Sequence, residues 1–236
     1  MKKSKRYRKI LHEIPVKDFY SFDESIDYVK KSATAKFNES VDIVFNLGVD
    51  PRKQDQMIRG SVKLPAGTGK EIKILVFAKG DKEKEAKEAG ADYAGLDEFV
   101  EKINKGWLDF DAVVATPDVM PVVGKLGRIL GPRKLMPSPK TGTVTFDVAK
   151  VVKDLKKGLV EFKTDKTGNI HSMVGKVSFN KEDLQRNIIA FLSEILRLKP
   201  QNLKGQYVKS IYISSSMGPS FKLDVKELTE ISRKGE

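Results

Sequence analysis

Ile72-Lys73-Ile74-Leu75-Val76-Phe77-Ala78 is a nearly continuous apolar run. Such a run predicts a strand of a parallel sheet covered on both faces. Outward from it, Asp81 is expected to cap a charged helix through Ala89, closed by Gly90. Ala91-Asp92-Tyr93 is a short strand candidate, and Asp97 opens a helix with Phe99, Val100 and Ile103 at helical spacing, ended by Gly106. Ala112-Val113-Val114-Ala115 is the next buried strand, and Val119 to Leu130 reads as a helix broken by glycines. Asp147 is placed to N-cap a last helix, with Phe146 stapling onto Val151. Val148, Val151, Val152 and Leu155 make its apolar stripe, and Gly158 stops it. Strand-helix alternation of this kind predicts a Rossmann-like, doubly wound α/β domain.

The flanks read differently. Ser21-Phe22-Asp23-Glu24 has the form of a capping box, opening a helix to about Ser32 with Phe22, Ile26 and Val29 inward. Val41 to Leu47, Arg59 to Leu64, Leu159 to Thr164, Val174 to Phe179 and Tyr207 to Ser214 are expected strands. Asn180 is expected to cap a long helix carrying Leu184, Ile188, Ile189, Leu192, Ile195 and Leu196, halted by Pro200. Neither flank alone holds enough elements for a core. The expectation is one discontinuous α+β domain, 1–66 plus 159–236, with 67–158 inserted. Leu64 to Lys70 and Lys157-Gly158, the junctions, serve equally well as a double hinge or as ordinary loops.

The chain of 236 residues has 44 basic and 32 acidic side chains, a net charge of +12, which favours a polyanionic partner. The insert carries 17 basic and 14 acidic residues, and the flanks carry 27 and 18, so most of the attraction belongs to the flanking domain. No apolar run approaches the roughly 18–20 residues of a membrane span, and no apolar h-region follows the basic N-terminus. Cysteine is absent, which removes disulfides and thiolate metal sites. The expectation is a soluble, cytoplasmic protein.

Enzyme readings fail on specific residues. Gly67-Thr68-Gly69-Lys70 lacks the earlier glycine of a P-loop, and Glu71 stands where a Ser or Thr is required. His12 and His171 cannot make a multi-histidine metal site. Gly-x-Ser-x-Gly does not occur. No catalytic residue, metal or cofactor is expected.

The segment from Gly124 to Lys140, GKLGRILGPRKLMPSPK, mixes glycine, proline and cations with no acidic residue. Glycine admits a phosphodiester closely, proline fixes the loop, and Lys125, Arg128, Arg133, Lys134 and Lys140 can neutralise phosphates. Its glycine spacings are three and four, so it is not a dinucleotide fingerprint. The segment closely resembles the signature of the ribosomal L-one family of the bacterial large subunit, with Lys134 where glycine is common. Ala35-Lys36-Phe37-Asn38-Glu39-Ser40, Gly48 to Pro51, Asp55-Gln56, Arg59-Gly60, Lys166 to His171 and Ser214 to Ser220 extend the resemblance over most of the chain. Ser216 stands where the family usually has threonine.

The resemblance implies a non-enzymatic ribosomal constituent that binds large-subunit ribosomal RNA of the mobile stalk near the exit tRNA site. It implies assistance to release of deacylated tRNA and repression of its own operon through its mRNA, with the protein monomeric off the ribosome. The implied RNA contacts are Lys36, Phe37, Ser40, Lys166, Gly168, Asn169, His171, Ser214, Ser216, Met217, Gly218 and Pro219, with the five cations of the insert as a secondary contact. Lys36 suits a phosphate, and Phe37 suits a ribose or base, though a phenylalanine before a strand suits core packing as well. Gly218 is expected to let backbone lie against a ribose. Two rivals are a DNA binder of related fold, separable by RNA-over-DNA selectivity, and a nucleotide-dependent enzyme built on the insert, separable by nucleotide binding.

Overall fold

A computed structural model of the chain describes residues 4–53, 56–203 and 205–234; Asp55 lies outside them. In chain order the first elements are α1 (Lys5–Glu13), α2 (Phe22–Ser32), β1 (Ser40–Leu47), β2 (Arg59–Lys63) and β3 (Ile74–Phe77). Then come α3 (Asp81–Glu88), β4 (Tyr93–Gly95), α4 (Asp97–Asn104), β5 (Ala112–Ala115), α5 (Met120–Val123), α6 (Gly127–Leu130) and α7 (Val148–Lys156). The chain closes with β6 (Leu159–Lys163), β7 (Asn169–Lys176), α8 (Lys181–Arg197), β8 (Val208–Ser215), β9 (Ser220–Leu223) and α9 (Val225–Lys234). It divides into two compact units, Met1–Gly69 with Val160–Glu236, and Lys70–Leu159.

The inserted unit is a parallel sheet of order β4-β3-β5. All four residues of β3 are buried because both faces are covered. Leu75 and Phe77 face the core built with Phe99, Ile103, Val123 and Leu130, and Ile74 and Val76 face Ala86, Val148 and Val152. This is the doubly wound α/β arrangement. Details depart from expectation. Gly80, at φ +59, holds the N-cap position of α3, so Asp81 is a first-turn charge instead of a cap. The β4 strand starts at Tyr93, which pairs with Leu75 of β3. Phe146 is exposed, so the staple onto Val151 does not form, and Asp147 makes no side-chain cap bond. Asp147 instead donates its N–H to Thr145 Oγ1 at 3.1 Å.

The split unit is built on an antiparallel sheet of order β7-β1-β8-β9 with a two-stranded sheet, β2-β6, beside it. Strict alternation along β1 puts Val41, Ile43, Phe45 and Leu47 inward. They meet Phe22, Ile26 and Val29 of α2 and Leu184, Ile188, Phe191, Leu192 and Ile195 of α8 in one core. Phe45 stacks on Phe191 at 5.6 Å between ring centres. The capping box at Ser21 is not made. Ser21 holds the N-cap position without a side-chain bond, and Glu24 pairs with Lys17 at 2.8 Å. Asn180 likewise caps α8 by position only. The β7 strand begins five residues before its expected start and ends at Lys176, with Val177 to Phe179 in a turn. After the 216–219 turn the chain adds β9 to the edge of the sheet and continues into α9.

Candidate nucleic-acid interface

Register along β1 organises the expected contacts. One face of the sheet packs on helices, and the alternate residues form a second, partly exposed face. Across that face lie Met173, Asp42, Ser214 and Ser220, then His171, Val44, Tyr212 and Lys222, then Asn169, Asn46 and Ser210. Ser40 begins β1 and Asn46 nearly ends it, a span of roughly 20 Å at strand rise. The expected residues therefore fall at two ends of one face. The turns at 35–40 and 216–219 share one end, and the 165–169 turn sits at the other.

At the first end, the Ser40 N–H donates to Ser216 Oγ at 3.0 Å, and the Ser216 N–H donates to the Ser40 carbonyl at 3.0 Å. Lys176 Nζ donates to Ser40 Oγ at 2.9 Å. Phe37 is 55% exposed and Met217 is 51% exposed, so both hold apolar surface in water on adjoining turns. The core-packing reading of Phe37 does not hold, because β1 starts three residues later and its inward positions are already filled. Lys36 and Ser216 are exposed, and Ser214 is half-buried.

Glycine at 218 has a cause within the protein itself. A Cβ there would lie 2.4 Å from Ser215 Oγ and 2.9 Å from Ser32 Oγ. Its missing side chain therefore makes room for the protein's own hydroxyls. Pro219 is buried and shapes the same turn.

The second end is a closed turn around Asp165. Its carboxylate accepts from the N–H groups of Asn169 at 2.7 Å and Thr167 at 2.8 Å, and from the Thr167 hydroxyl. Burial opposes ionisation of Asp165, but these hydrogen bonds outweigh it and hold the carboxyl well below the usual carboxylate range. A depressed folded pKa means that this support is in force above about pH 4 and is lost only as pH falls through the lower folded value. Gly168 sits at φ +83, where a Cβ would come within 3.0 Å of the Val49 carbonyl. It is buried, so it acts by shaping the turn that presents exposed Lys166 and half-buried Asn169. His171 is exposed, with Nε2 3.5 Å from Asp165 Oδ2.

In the inserted unit Leu126 and Leu130 are fully buried and anchor a surface bearing exposed Lys125 and Arg128. Exposed Arg133 and Lys134 follow α6, and Lys140 rides a turn tied by Ser138, Thr141 and Thr143 hydroxyls. Lys134 has φ +61, the sole non-glycine residue with positive φ among the described residues. That accounts for the glycine common there in the family it resembles. Left-handed backbone costs a side-chain-bearing residue roughly 1–2 kcal/mol, and glycine's extra chain entropy returns about half of that. Lys134→Gly should therefore stabilise the inserted unit by about 0.5–1 kcal/mol, read as a higher melting temperature, while weakening RNA binding at low salt. An unchanged affinity would remove Lys134 from the secondary contact.

The carboxyl ends of the parallel strands do not suit a nucleotide. The helix starts that follow them carry Asp81 and Glu83 in α3, and Asp97 and Glu98 in α4, which repel phosphate. Among the described residues no cluster of His, Asp or Glu has the geometry to hold a metal ion, and no helix is long and apolar enough to cross a membrane.

Sequence reasoning missed Arg6 and Glu39. Arg6 Nη2 donates to the Met217 carbonyl at 2.7 Å, and Nη1 donates to Thr34 Oγ1 at 3.0 Å. Helix α1, which supplies Arg6, buries Ile10 and turns Tyr7, Leu11 and the following Ile14 to the same side, a short apolar stripe among charged residues.

Comparison with known proteins places these residues in context. The profile of the "Ribosomal protein L1p/L10e family" matches residues 29–219, which include every expected contact. "Large ribosomal subunit protein uL1" of Protochlamydia amoebophila (strain UWE25) is 58% identical over 224 residues, 95% of each chain. The protein of that name from Cutibacterium acnes is 54% identical, covering 95% of this chain and 97% of its own. That from Thermobifida fusca (strain YX) is 52% identical over 233 residues, 99% of both.

Proposed function

This chain belongs to the Ribosomal protein L1p/L10e family, non-enzymatic constituents of the large ribosomal subunit in the cytoplasm, and on that premise we propose that its split unit grips the ribosomal RNA of the mobile stalk. The observation that carries this is the pair of exposed apolar side chains, Phe37 and Met217, on adjoining turns beside Lys36. Water-exposed aromatic and thioether groups next to a cation suit an unstacked base and its phosphate. The half-buried hydroxyls of Ser40 and Ser214 and the turn at Asp165 extend the surface along β1 toward Lys166 and His171. The five cations of the inserted unit make a secondary contact, which suits exit-site tRNA and the release of deacylated tRNA. An operon mRNA that copies the stalk site would occupy the same turns, and repression would follow by competition.

Equilibrium binding tests this reading. Base stacking on a side chain is worth about 1–3 kcal/mol. Phe37→Ala with Met217→Ala should therefore lower affinity for in vitro transcribed stalk RNA at least about tenfold. It should barely change affinity for random RNA of equal length or the slope of log affinity against log salt. Lys36→Ala should act oppositely, flattening the slope by about one unit on both RNAs. Equal losses on both RNAs from the apolar double variant would sink the proposal.

A further inference from the structure

We propose that Glu39 is the positioning residue of this interface, a buried carboxylate that clasps the Phe37 turn to the Met217 turn. The inference rests on the reading of both turns as RNA contacts. Glu39 is only 1% exposed, less than any other acidic residue among the described residues. Its Oε1 accepts the Ala35 N–H at 3.0 Å, closing a ring around Lys36 and Phe37. Its Oε2 accepts the Met217 N–H at 2.9 Å, across 178 residues of sequence. One carboxylate thus spends one oxygen on each turn. The Glu39 carbonyl also accepts the Val177 N–H at 3.0 Å, which fixes the residue's backbone to the end of β7.

A buried charge is retained only where donors satisfy it. Burial pushes the Glu39 carboxyl up, but the N–H groups of Ala35 and Met217, with the Ser215 hydroxyl and the charge of Arg6, bring it below the ordinary glutamate range. Arg6 completes the clasp from outside by binding the Met217 carbonyl and the Thr34 hydroxyl. Glu39 itself is covered and cannot touch RNA. Its effect on binding must pass through the separation and orientation of Phe37 and Met217.

Glu39→Gln and Glu39→Asp test this. Glutamine has one acceptor oxygen, so its amide turns an N–H donor toward one of the two backbone N–H groups. Aspartate keeps the charge but is one methylene too short to reach both turns. In Glu39→Gln, hydrogen exchange at the Ala35 or Met217 amide should accelerate about tenfold or more, the loss of one charge-assisted hydrogen bond. Well below the melting temperature, the ratio of affinity for stalk RNA over random RNA should fall by a similar factor. The salt slope should stay where it was. If Glu39→Gln folds too poorly to assay, Glu39→Asp carries the same two measurements. A merely structural role predicts a lower melting temperature with the affinity ratio intact, and that result overturns the proposal. Unchanged exchange at both amides also overturns it. A wild-type protein that does not distinguish the two RNAs overturns the RNA reading beneath, and the exchange measurement, which needs no RNA, then still decides whether the clasp exists.

Discussion

Removing residues 70–159 and joining Gly69 to Val160 through a short glycine linker should leave a folded protein that still selects stalk RNA. The split unit has its own core, in which β1 and α8 supply Phe45 and Phe191 and no residue comes from the insert. Its turns at 35–40, 165–171 and 214–219 all lie on one sheet. The excised chain loses Lys125, Arg128, Arg133, Lys134 and Lys140, so its affinity should drop on every RNA and its salt slope should flatten by up to about 0.9 unit per lost phosphate contact. The stalk-to-random affinity ratio should stay within about tenfold of the full chain, a difference of about 1.4 kcal/mol. Circular dichroism and filter binding read both quantities. A folded remainder that has lost the ratio would move the specific site to the insert.

Gly218→Val should be the most damaging single change at the interface, and its damage should run through the protein. The added Cβ would sit 2.4 Å from Ser215 Oγ and 2.9 Å from Ser32 Oγ. Ser32 cannot swing aside freely, because its hydroxyl is buried and donates to the Val29 carbonyl at 2.9 Å. Overpacking of this kind costs about 1–3 kcal/mol. At roughly 2–4 °C per kcal/mol for a chain of this size, the melting temperature should fall by about 5 °C. The displaced turn should carry Met217 with it and lower affinity for stalk RNA at least about tenfold. A compensating change separates this cause from a ribose contact. Ser215→Ala removes the nearest clashing atom, so Gly218→Ala combined with Ser215→Ala should recover part of what Gly218→Ala alone loses. Recovery of stability and of affinity together supports inward packing. Failure to recover affinity in a normally stable double variant would return the glycine to the RNA surface.

Much of the fold was legible because burial leaves a plain pattern. The run at Ile74 to Phe77 is apolar throughout because both faces of its sheet are covered, and α8 shows its stripe because a whole helix face is buried. Legibility failed where the pattern is mixed. Asn169, His171 and Met173 lie on the partly exposed face of the sheet, so the first half of β7 lacks the apolar signal of its second half. Helix α1 is short, with Tyr7, Ile10 and Leu11 as its apolar positions, and Arg6 ties it to the Met217 turn.

The candidate site follows the same logic. Exposed Lys36, Phe37, Met217 and Lys166 could be named because the segments that hold them resemble those of the family, and their residue types suit RNA. Glu39 could not, since a lone glutamate in a loop has no period and its second partner is 178 residues away. Gly218 was named for an expected ribose contact, and the crowding by Ser215 and Ser32 that also demands glycine there shows only in three dimensions.

The most direct test of the central claim is to cross-link the protein to RNA in its own cells, sequence the attached RNA and identify the attached peptides. The account predicts reads concentrated on the stalk of large-subunit ribosomal RNA, with cross-links on the peptides that hold Phe37 and Met217. Reads spread evenly over cellular RNA, or cross-links confined to Lys125 to Lys140, would contradict it.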